Sequence, residues 1–301
     1  MKNIIIFGKN GQVANDLLNI FTQEQDKFTI YNYSSKDIDF SKINKLADKL
    51  NKLPKADFII NATAYNYVDK AEDEPDMADK INHQAVGILA KYCQKNNIKF
   101  IHYSTNYVFD GSSNEPYFEN NLKNLKPTGI YGLSKLNGEK AIVKSECDYL
   151  IFRVSTVFSQ NDNNFVAKII KLAQNNTELK IVNDQITNPT SSFDIAAITI
   201  KIIEEINKNN NFKNDIYHLT SANKASYFEF AQEIIKYMIE SMVKSIKIIP
   251  VKSSEFKTKA QRPLNGVLNC DKIEKEFNIK LPKWQNSLKN IITKINHNVK
   301  S

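Results

Sequence analysis

The turn Gly8-Lys9-Asn10-Gly11-Gln12-Val13-Ala14 limits the possible folds more than any other stretch of this chain. It comes after the apolar run at residues 3–7 and opens a helix expected to reach about Phe21. Two glycines let a backbone approach a pyrophosphate, and a helix N-terminus supplies N–H donors and a positive dipole end. A small residue at position 14 permits close packing of the helix on the strand. Gly8, Asn10 and Gly11 are therefore candidate residues of a nucleotide phosphate cradle.

The same strand-and-helix unit recurs along the chain. Strands are expected at 28–33, 57–61, 98–103 and 149–154, with helices at 77–96 and 130–145. Short apolar strands between helical stretches indicate βαβ units around a parallel sheet covered on both faces. The fold class is α/β, a Rossmann-type doubly wound parallel sheet. After about Ser155 the pattern shifts to longer helices with Pro and Asn turns, which suggests a smaller C-terminal α+β substrate domain. The expected division gives residues 1–155 with about 190–222 to the NAD(P)-binding domain. It gives about 156–189 with 223–301 to the substrate domain.

The chemistry is carried by Tyr131 and Lys135, four apart on one helix face. An ammonium near a phenol favours the phenolate, which makes tyrosine usable for proton transfer near neutral pH. With 13 tyrosines and 39 lysines in 301 residues, about two such pairs arise by chance, so the spacing alone is weak. Order along the chain adds weight, because Ser104 and Thr105 end a strand before that helix. Ligands bind at strand C-termini in such sheets, so both hydroxyls are expected to face the crevice. Asn61-Ala62-Thr63-Ala64-Tyr65 ends the third strand with small residues, as a strand passing beneath a cofactor would.

Choice between NADH and NADPH is expected at the end of the second strand, where an acid would bind a ribose 2′-hydroxyl and repel a 2′-phosphate. This chain has Tyr31-Asn32-Tyr33-Ser34-Ser35-Lys36 there and no acid until Asp37. Asn32 and the residues after it tolerate a phosphate, so NADPH is favoured and NADH stays open. Asp39, with Phe40 next to it, falls in a loop expected against the adenine.

A net charge of +8 comes from 39 lysines and two arginines spread among acidic residues. Nucleic-acid binding would call for clustered basic residues and more arginine, so no nucleic-acid partner is expected. No apolar run approaches the ~20 residues of a membrane span, so no membrane partner is expected. The N-terminal run reads as a first strand rather than a signal peptide. Cys93, Cys147 and Cys270 are far apart with no metal spacing, which suggests reduced thiols, a cytoplasmic location and no metal. A homodimer is left open.

Four motifs go further. Gly-x-x-Gly-Gln-Val at 8–13, Asn-Ala-Thr-Ala-Tyr-Asn-Tyr-Val-Asp-Lys-Ala-Glu at 61–72, Tyr-Ser-Thr-Asn-Tyr-Val-Phe-Asp-Gly at 103–111 and Tyr-Gly-x-Ser-Lys-x-x-Gly-Glu at 131–139 resemble dTDP-4-dehydrorhamnose reductases, a family of extended short-chain dehydrogenase/reductases. The resemblance continues through Phe152-Arg153-Val154-Ser155, Asn163-Asn164-Phe165, residues 184–190 and Arg262-Pro263-Leu264-Asn265. It implies reduction, by NADPH or NADH, of the C4 carbonyl of a nucleotide-activated 4-keto-6-deoxysugar, foremost dTDP-4-dehydrorhamnose to dTDP-L-rhamnose, for surface polysaccharide synthesis. By this resemblance Tyr131 would protonate the sugar oxygen. Lys135 would lower the tyrosine pKa and hold the nicotinamide ribose, and Thr105, with Ser104 nearby, would bond the same sugar oxygen. Gly11, Gln12, Val13, Asp39, Ala64, Tyr65 and Tyr103 correspond to cofactor contacts, and Val68 and Tyr107 to the substrate pocket.

The departures from the family pattern concern the substrate side. Asn106 stands where the family usually has Asp, Thr156 where it has Trp, and Gly266 where Arg-Pro-x-Asn usually continues with Ser. Asn106 and Thr156 are therefore expected to alter the substrate pocket. Asn106-Tyr107 lacks the Asp-Glu pair of a 4,6-dehydratase. Epimerisation, and a non-catalytic regulatory subunit like that of methionine adenosyltransferase, remain alternative readings. The intact Ser104, Thr105, Tyr131 and Lys135 set favours catalysis.

Overall fold

The computed structural model describes residues 1–24, 26–161, 164–239 and 246–300. A six-stranded parallel sheet is built from β1 (Lys2–Phe7), β2 (Phe28–Tyr33), β3 (Phe58–Asn61), β4 (Lys99–Thr105), β5 (Tyr149–Val154) and β10 (Asp215–His218). Its spatial order is β10-β5-β4-β3-β1-β2. The direction of winding reverses between β1 and β3, which places a ligand crevice at their C-terminal ends.

Alternation along each strand feeds two cores, one on each face. Ile4 and Ile6 of β1 turn to the face covered by α1 (Gln12–Phe21) and α8 (Ser192–Asn209), with Leu17, Phe21, Ile195 and Ile203. Ile5 and Phe7 turn to the face covered by α2 (Ile43–Leu50) and α5 (Ala85–Asn96), with Leu46, Val86 and Leu89. Every residue from Ile4 to Ile6 is fully buried. Strands covered on both faces need continuous apolar runs, which is what residues 4–7 and 58–60 supply.

The helix expected over 77–96 is interrupted. Short helices α3 (Val68–Ala71) and α4 (Pro75–Asp79) lead into one wide π turn at Lys80–Gln84 before α5 begins. Asn82, buried in that turn, accepts from Tyr65 N at 2.8 Å and donates to Tyr65 O at 3.0 Å and to Ser134 Oγ at 3.0 Å. Helix α6 (Ile130–Lys144) packs tightly on the turn, because a Cβ at Gly138 would lie 2.2 Å from Asn82 O. Glycine there is required by that approach.

The rest of the chain serves both the sheet and a second core. Helix α8 packs on α1, and β10 completes the sheet beside β5. A separate core joins Phe158, Val166, Leu179, Phe230, Ile234, Trp284 and Leu288. It is formed by β6 (Val157–Phe158), α7 (Phe165–Asn175), β7 (Glu178–Val182), α9 (Tyr227–Ile239) and α11 (Trp284–Lys300). The small pairs β7 with β12 (Lys247–Val251), β6 with β9 (Thr190–Ser191), and β8 (Ile186–Thr187) with β11 (Ala225–Ser226) surround it, and α10 (Asp271–Glu276) packs on β10. Among the described residues no helix is long and apolar enough to cross a membrane, and no cluster of three or more potential metal ligands is present.

Candidate active site

A cleft of about 480 Å³ opens at the β1/β3 crossover. Gly8 there has φ +90°, and a Cβ on it would sit 2.8 Å from Ala62 O, so only glycine fits this crossing of the β1 and β3 ends. Helix α1 starts at Gly11 with no side-chain cap, which leaves its first N–H groups free for an anion. A backbone cradle closed to side chains and an uncapped helix end fit the pyrophosphate of a dinucleotide.

The structure brings Gly8, Asn10, Gly11, Gln12, Val13, Asp39, Phe40, Ala62, Ala64, Tyr103, Ser104, Tyr131 and Lys135 to the wall of this one cleft. Thr63, Asn66 and Tyr67 join them from the β3 end, and Tyr33, Ser34 and Ser35 from the β2 end. The Asp39 carboxylate also accepts from Ser41 N at 2.9 Å and Ser41 Oγ at 2.7 Å, a local turn that fixes its position.

Several expected contacts fall elsewhere. Asn32 is exposed and lies outside the cleft wall, because alternation along β2 turns it away from Tyr31 and Tyr33, which pack on the α2/α5 core. Tyr65 is buried outside the wall, with its backbone held by Asn82 and its hydroxyl on Glu74 Oε2 at 2.7 Å. Val68 begins α3 and is not part of the wall; Tyr67 is. The Ser104 hydroxyl does not face the crevice. The strand pleat puts it with His102 on the α6 side, where it donates to Glu139 Oε1. Glu139 in turn receives the fork of Arg153, Nε at 3.0 Å and Nη2 at 2.7 Å, all buried.

Asn106 is also buried rather than substrate-facing, with its amide bonded to Gly266 O at 2.9 Å. Asn163 of the Asn-Asn-Phe motif lies outside the described residues.

Tyr131 and Lys135, the candidate pair, sit on α6, whose first turn is anchored by Glu72: its Oε1 accepts from Ile130 N at 2.9 Å. Burial pushes the Tyr131 phenol above its ordinary pKa, and a hydrogen bond with the Thr105 side chain partly offsets this. Tyr107 meets Tyr131 edge to face, with ring centroids 5.6 Å apart. Lys135 is 1% exposed, and burial lowers its pKa to about 8 despite the nearby charge of Glu139. Its Nζ donates to Tyr103 O at 2.6 Å and lies 3.1 Å from His102 Nε2. In this state Nζ is directed at those groups, and the tyrosine pKa is raised rather than lowered.

On the C-terminal side, Thr156 adopts φ +37°, unusual for a β-branched residue. It is tied by Oγ1 to Thr187 Oγ1 at 2.7 Å and to Tyr227 OH at 3.3 Å. Arg262 reaches Asp69 Oδ2 at 2.6 Å, and its charge acts on both Tyr107 and Tyr227. Sequence reasoning does not single out Tyr227, Glu139 or His102. Glu139 and His102 lie inside or beside the family motifs, but only the pleat and the helix phase show that they meet Ser104 and Lys135. Tyr227 carries no local signal.

A parallel doubly wound sheet with a glycine-turn dinucleotide cradle and a Tyr-x-x-x-Lys helix at its edge defines an extended short-chain dehydrogenase/reductase. More narrowly, the chain belongs to the RmlD substrate binding domain family, whose model matches residues 1–297. It is 34% identical over 290 residues to a dTDP-4-dehydrorhamnose reductase of Sinorhizobium fredii, covering 96% of each chain. It is 32% identical over 299 residues to the Escherichia coli K12 enzyme of that name, covering 97% of this chain and 98% of that one. Among solved structures, the dTDP-4-dehydrorhamnose reductase of Clostridium acetobutylicum superposes with a TM-score of 0.87 at 30% identity, covering 97% of this chain and 98% of that one. The Bacillus anthracis reductase, solved in complex with NADP, gives 0.87 at 29% identity over 97% of this chain and 99% of that one.

Proposed function

We propose that this chain reduces the C4 carbonyl of a nucleotide-activated 4-keto-6-deoxysugar with NADPH, converting dTDP-4-dehydrorhamnose to dTDP-L-rhamnose. The observation that carries the reading is the convergence of Tyr131, Lys135 and the glycine cradle on one cleft, with Thr105 against Tyr131 at its edge. The reductases of Sinorhizobium fredii, Escherichia coli and Bacillus anthracis support it, and the last of them holds NADP.

Bound NADPH would supply a hydride to the sugar carbon. Gly8, Asn10, Gly11 and the open end of α1 would hold its pyrophosphate, with Ser35, Asp39 and Phe40 around the adenosine end. Tyr131 would donate its hydroxyl proton to the carbonyl oxygen as charge develops there, and Thr105 would hold that oxygen by a second hydrogen bond. Lys135 would steady the ribose and restore the proton to Tyr131. Ser104 acts one layer back, joining the strand end to Glu139 and Arg153.

The division of labour between two lobes belongs to the same proposal. Residues 1–155 with about 190–222 would bind the cofactor, and about 156–189 with 223–301 the sugar nucleotide. Supporting it, β10 and α8 join the large sheet, whereas the Phe230/Trp284 core excludes it. Tyr227, beside Thr156, would provide the flat wall that the family builds from tryptophan.

The test is NADPH oxidation, monitored at the nicotinamide absorbance band, on mixing enzyme with dTDP-4-dehydrorhamnose. Stoichiometric consumption with formation of dTDP-rhamnose is expected. Conversion of the sugar without consumption would replace reduction by epimerisation.

A further inference from the structure

Behind the cleft lies a buried line of polar side chains running from β3 through β4 to α6. Thr63 N donates to Asn61 Oδ1 at 3.0 Å; Asn61 Nδ2 lies 3.1 Å from His102 Nδ1; His102 Nε2 lies 3.1 Å from Lys135 Nζ. Asn61 and His102 are fully buried. The order of donors and acceptors along this line is set at one end. A backbone N–H can only donate, so the Asn61 atom facing Thr63 is the carbonyl oxygen, and the atom facing His102 is the NH₂ group. His102 must then accept at Nδ1 and carry its proton on Nε2. That proton points at Lys135.

An ammonium has three N–H donors and no lone pair, so it cannot accept from Nε2–H. A neutral amine can, while still donating to Tyr103 O. The geometry points to His102 as a positioning residue that, locked as its Nε2–H tautomer by Asn61, holds Lys135 partly as a neutral amine and sets its protonation equilibrium. Burial favours the neutral form of both partners. The low Lys135 pKa, and a His102 pKa held well below its ordinary value first by burial and then by Lys135, agree with this.

The other titratable groups around Lys135 are Tyr131 and Glu139 on its own helix and Arg153 on β5, whose charge is engaged by Glu139. The phenol of Tyr103 on β4 is bonded to Thr199 on α8. The π turn contributes the neutral Asn82, and β3 the neutral Asn61 amide. Of these, only Glu139 favours the ammonium by charge.

For catalysis, and here the inference rests on the reductase reading, a lysine poised between amine and ammonium can return the proton that Tyr131 gives to the sugar. An N–H bond of the ammonium breaks, the phenolate O–H bond forms, and the amine left behind is the species that Nε2–H is oriented to meet. The amine recovers its proton from solvent through the open cleft.

The experiment needs no substrate. In free protein labelled with ¹⁵N-histidine, long-range correlation spectra distinguish the two neutral tautomers, and the His102 signal is the one lost in His102→Gln. The Nε2–H form is expected; the Nδ1–H form would overturn the proposal. Separately, the ¹³Cε resonance of Lys135, identified by its absence from Lys135→Met, is titrated. A midpoint near 8 is expected, against the ~10.4 of an ordinary lysine, which would also overturn it. Asn61→Asp keeps the acceptor for Thr63 N–H but now accepts from Nδ1–H, reversing the tautomer and turning Nε2 into an acceptor. His102→Gln offers Lys135 a carbonyl instead. His102→Gln should raise the Lys135 midpoint by about one unit or more, a change that a merely structural role for His102 would not produce. In Asn61→Asp, where the new carboxylate also favours the ammonium by charge, the deciding readout is the reversed His102 tautomer. Should one variant fail to fold, the other and the wild-type tautomer still decide. Should both spectra come out as expected while NADPH is not consumed, the reductase reading fails and the His102 assignment stands.

Discussion

The side-chain amide of Asn106 donates to the main-chain carbonyl of Gly266 at 2.9 Å, joining the end of β4 to a loop 160 residues away. These are two of the positions that the sequence reading marks as departures from the motifs it resembles, and they touch. A Cβ at position 266 would lie 2.3 Å from Asn106 Nδ2, and an Asp at 106 would set a carboxylate against a carbonyl oxygen. Each departure therefore accommodates the other. Asn106 Oδ1 meanwhile accepts from Thr105 Oγ1 at 3.3 Å, so the pair also helps aim the threonine beside Tyr131.

Asn106→Asp should accordingly destabilise the protein by about 1–3 kcal/mol, the cost of a buried acceptor without a donor. Gly266→Ser should destabilise through its clash with the Asn106 amide. The double variant should be more stable than the sum of the singles predicts, by about 0.5–3 kcal/mol. Urea unfolding of all four proteins measures this, and strict additivity would show that the contact is incidental.

Tyr131→Phe removes a transferable proton and keeps the ring against Tyr107. Turnover should fall by about 10²–10⁴, the usual worth of a general acid, while NADPH affinity measured by fluorescence titration changes only a few-fold. A variant retaining more than half of the wild-type kcat would take Tyr131 out of the mechanism.

Cofactor preference should be controlled at Ser35 rather than at Asn32. Ser35 lines the cleft, whereas Ser34 is engaged by Asp37 and Asn32 faces away. Ser35→Asp should shift the ratio of kcat/KM values toward NADH by repelling a 2′-phosphate, and Asn32→Asp should leave it nearly unchanged. A large shift from Asn32→Asp with none from Ser35→Asp would return control to the strand residue.

The sheet, its winding and the helix that carries Tyr131 and Lys135 were legible in the sequence because they depend on local patterns: apolar runs near Ile4–Ile6, the Gly8 turn, and a tyrosine and a lysine one helical turn apart. What stayed hidden depends on which way a side chain faces once strands and helices pack. Ser104 and Thr105 are neighbours in sequence, yet the pleat sends one hydroxyl to Glu139 and leaves the other beside Tyr131. Asn32 faces away on the pleat of β2, whereas Ser35, in the turn after that strand, lines the cleft. The π turn at 80–84 escaped because its residues are ordinary helix formers; its reason is Asn82, which satisfies the Tyr65 backbone. Tyr227 reaches the site through a fold-back of the chain that no local motif announces.

Acid should destabilise the protein through His218. Burial, and next the charge of Arg153, lower its pKa to about 3, and Nε2 has no partner. Between the ~6.5 of an unfolded histidine and that value, the unfolded chain binds a proton that the folded one refuses. Stability is thus fully present above about 6.5 and declines as pH falls toward 3. His218→Phe should flatten this decline without abolishing it, since His102 contributes in the same direction. Thermal midpoints from pH 8 to pH 4 provide the measurement; parallel curves for variant and wild type would exclude His218.

The substrate wall supplies the last test. Thr156 stands where the sequence resemblance places a tryptophan, and its Oγ1 lies 3.3 Å from Tyr227 OH and 2.7 Å from Thr187 Oγ1, so neighbouring side chains already crowd the position. A tryptophan there would have to displace Tyr227, itself packed edge to face on Phe165 at 5.0 Å. If Tyr227 is the substitute aromatic surface, Tyr227→Ala should raise KM for dTDP-4-dehydrorhamnose several-fold while kcat changes less, because an aromatic contact is worth on the order of 1 kcal/mol beyond its area. Tyr227→Phe should keep most of the affinity, since the ring rather than the hydroxyl makes the wall. Thr156→Trp should harm both KM and stability instead of improving binding. Improved dehydrorhamnose kinetics in Thr156→Trp, with Tyr227→Ala neutral, would mean that the wall is open in this chain and that its preferred sugar nucleotide is a different one.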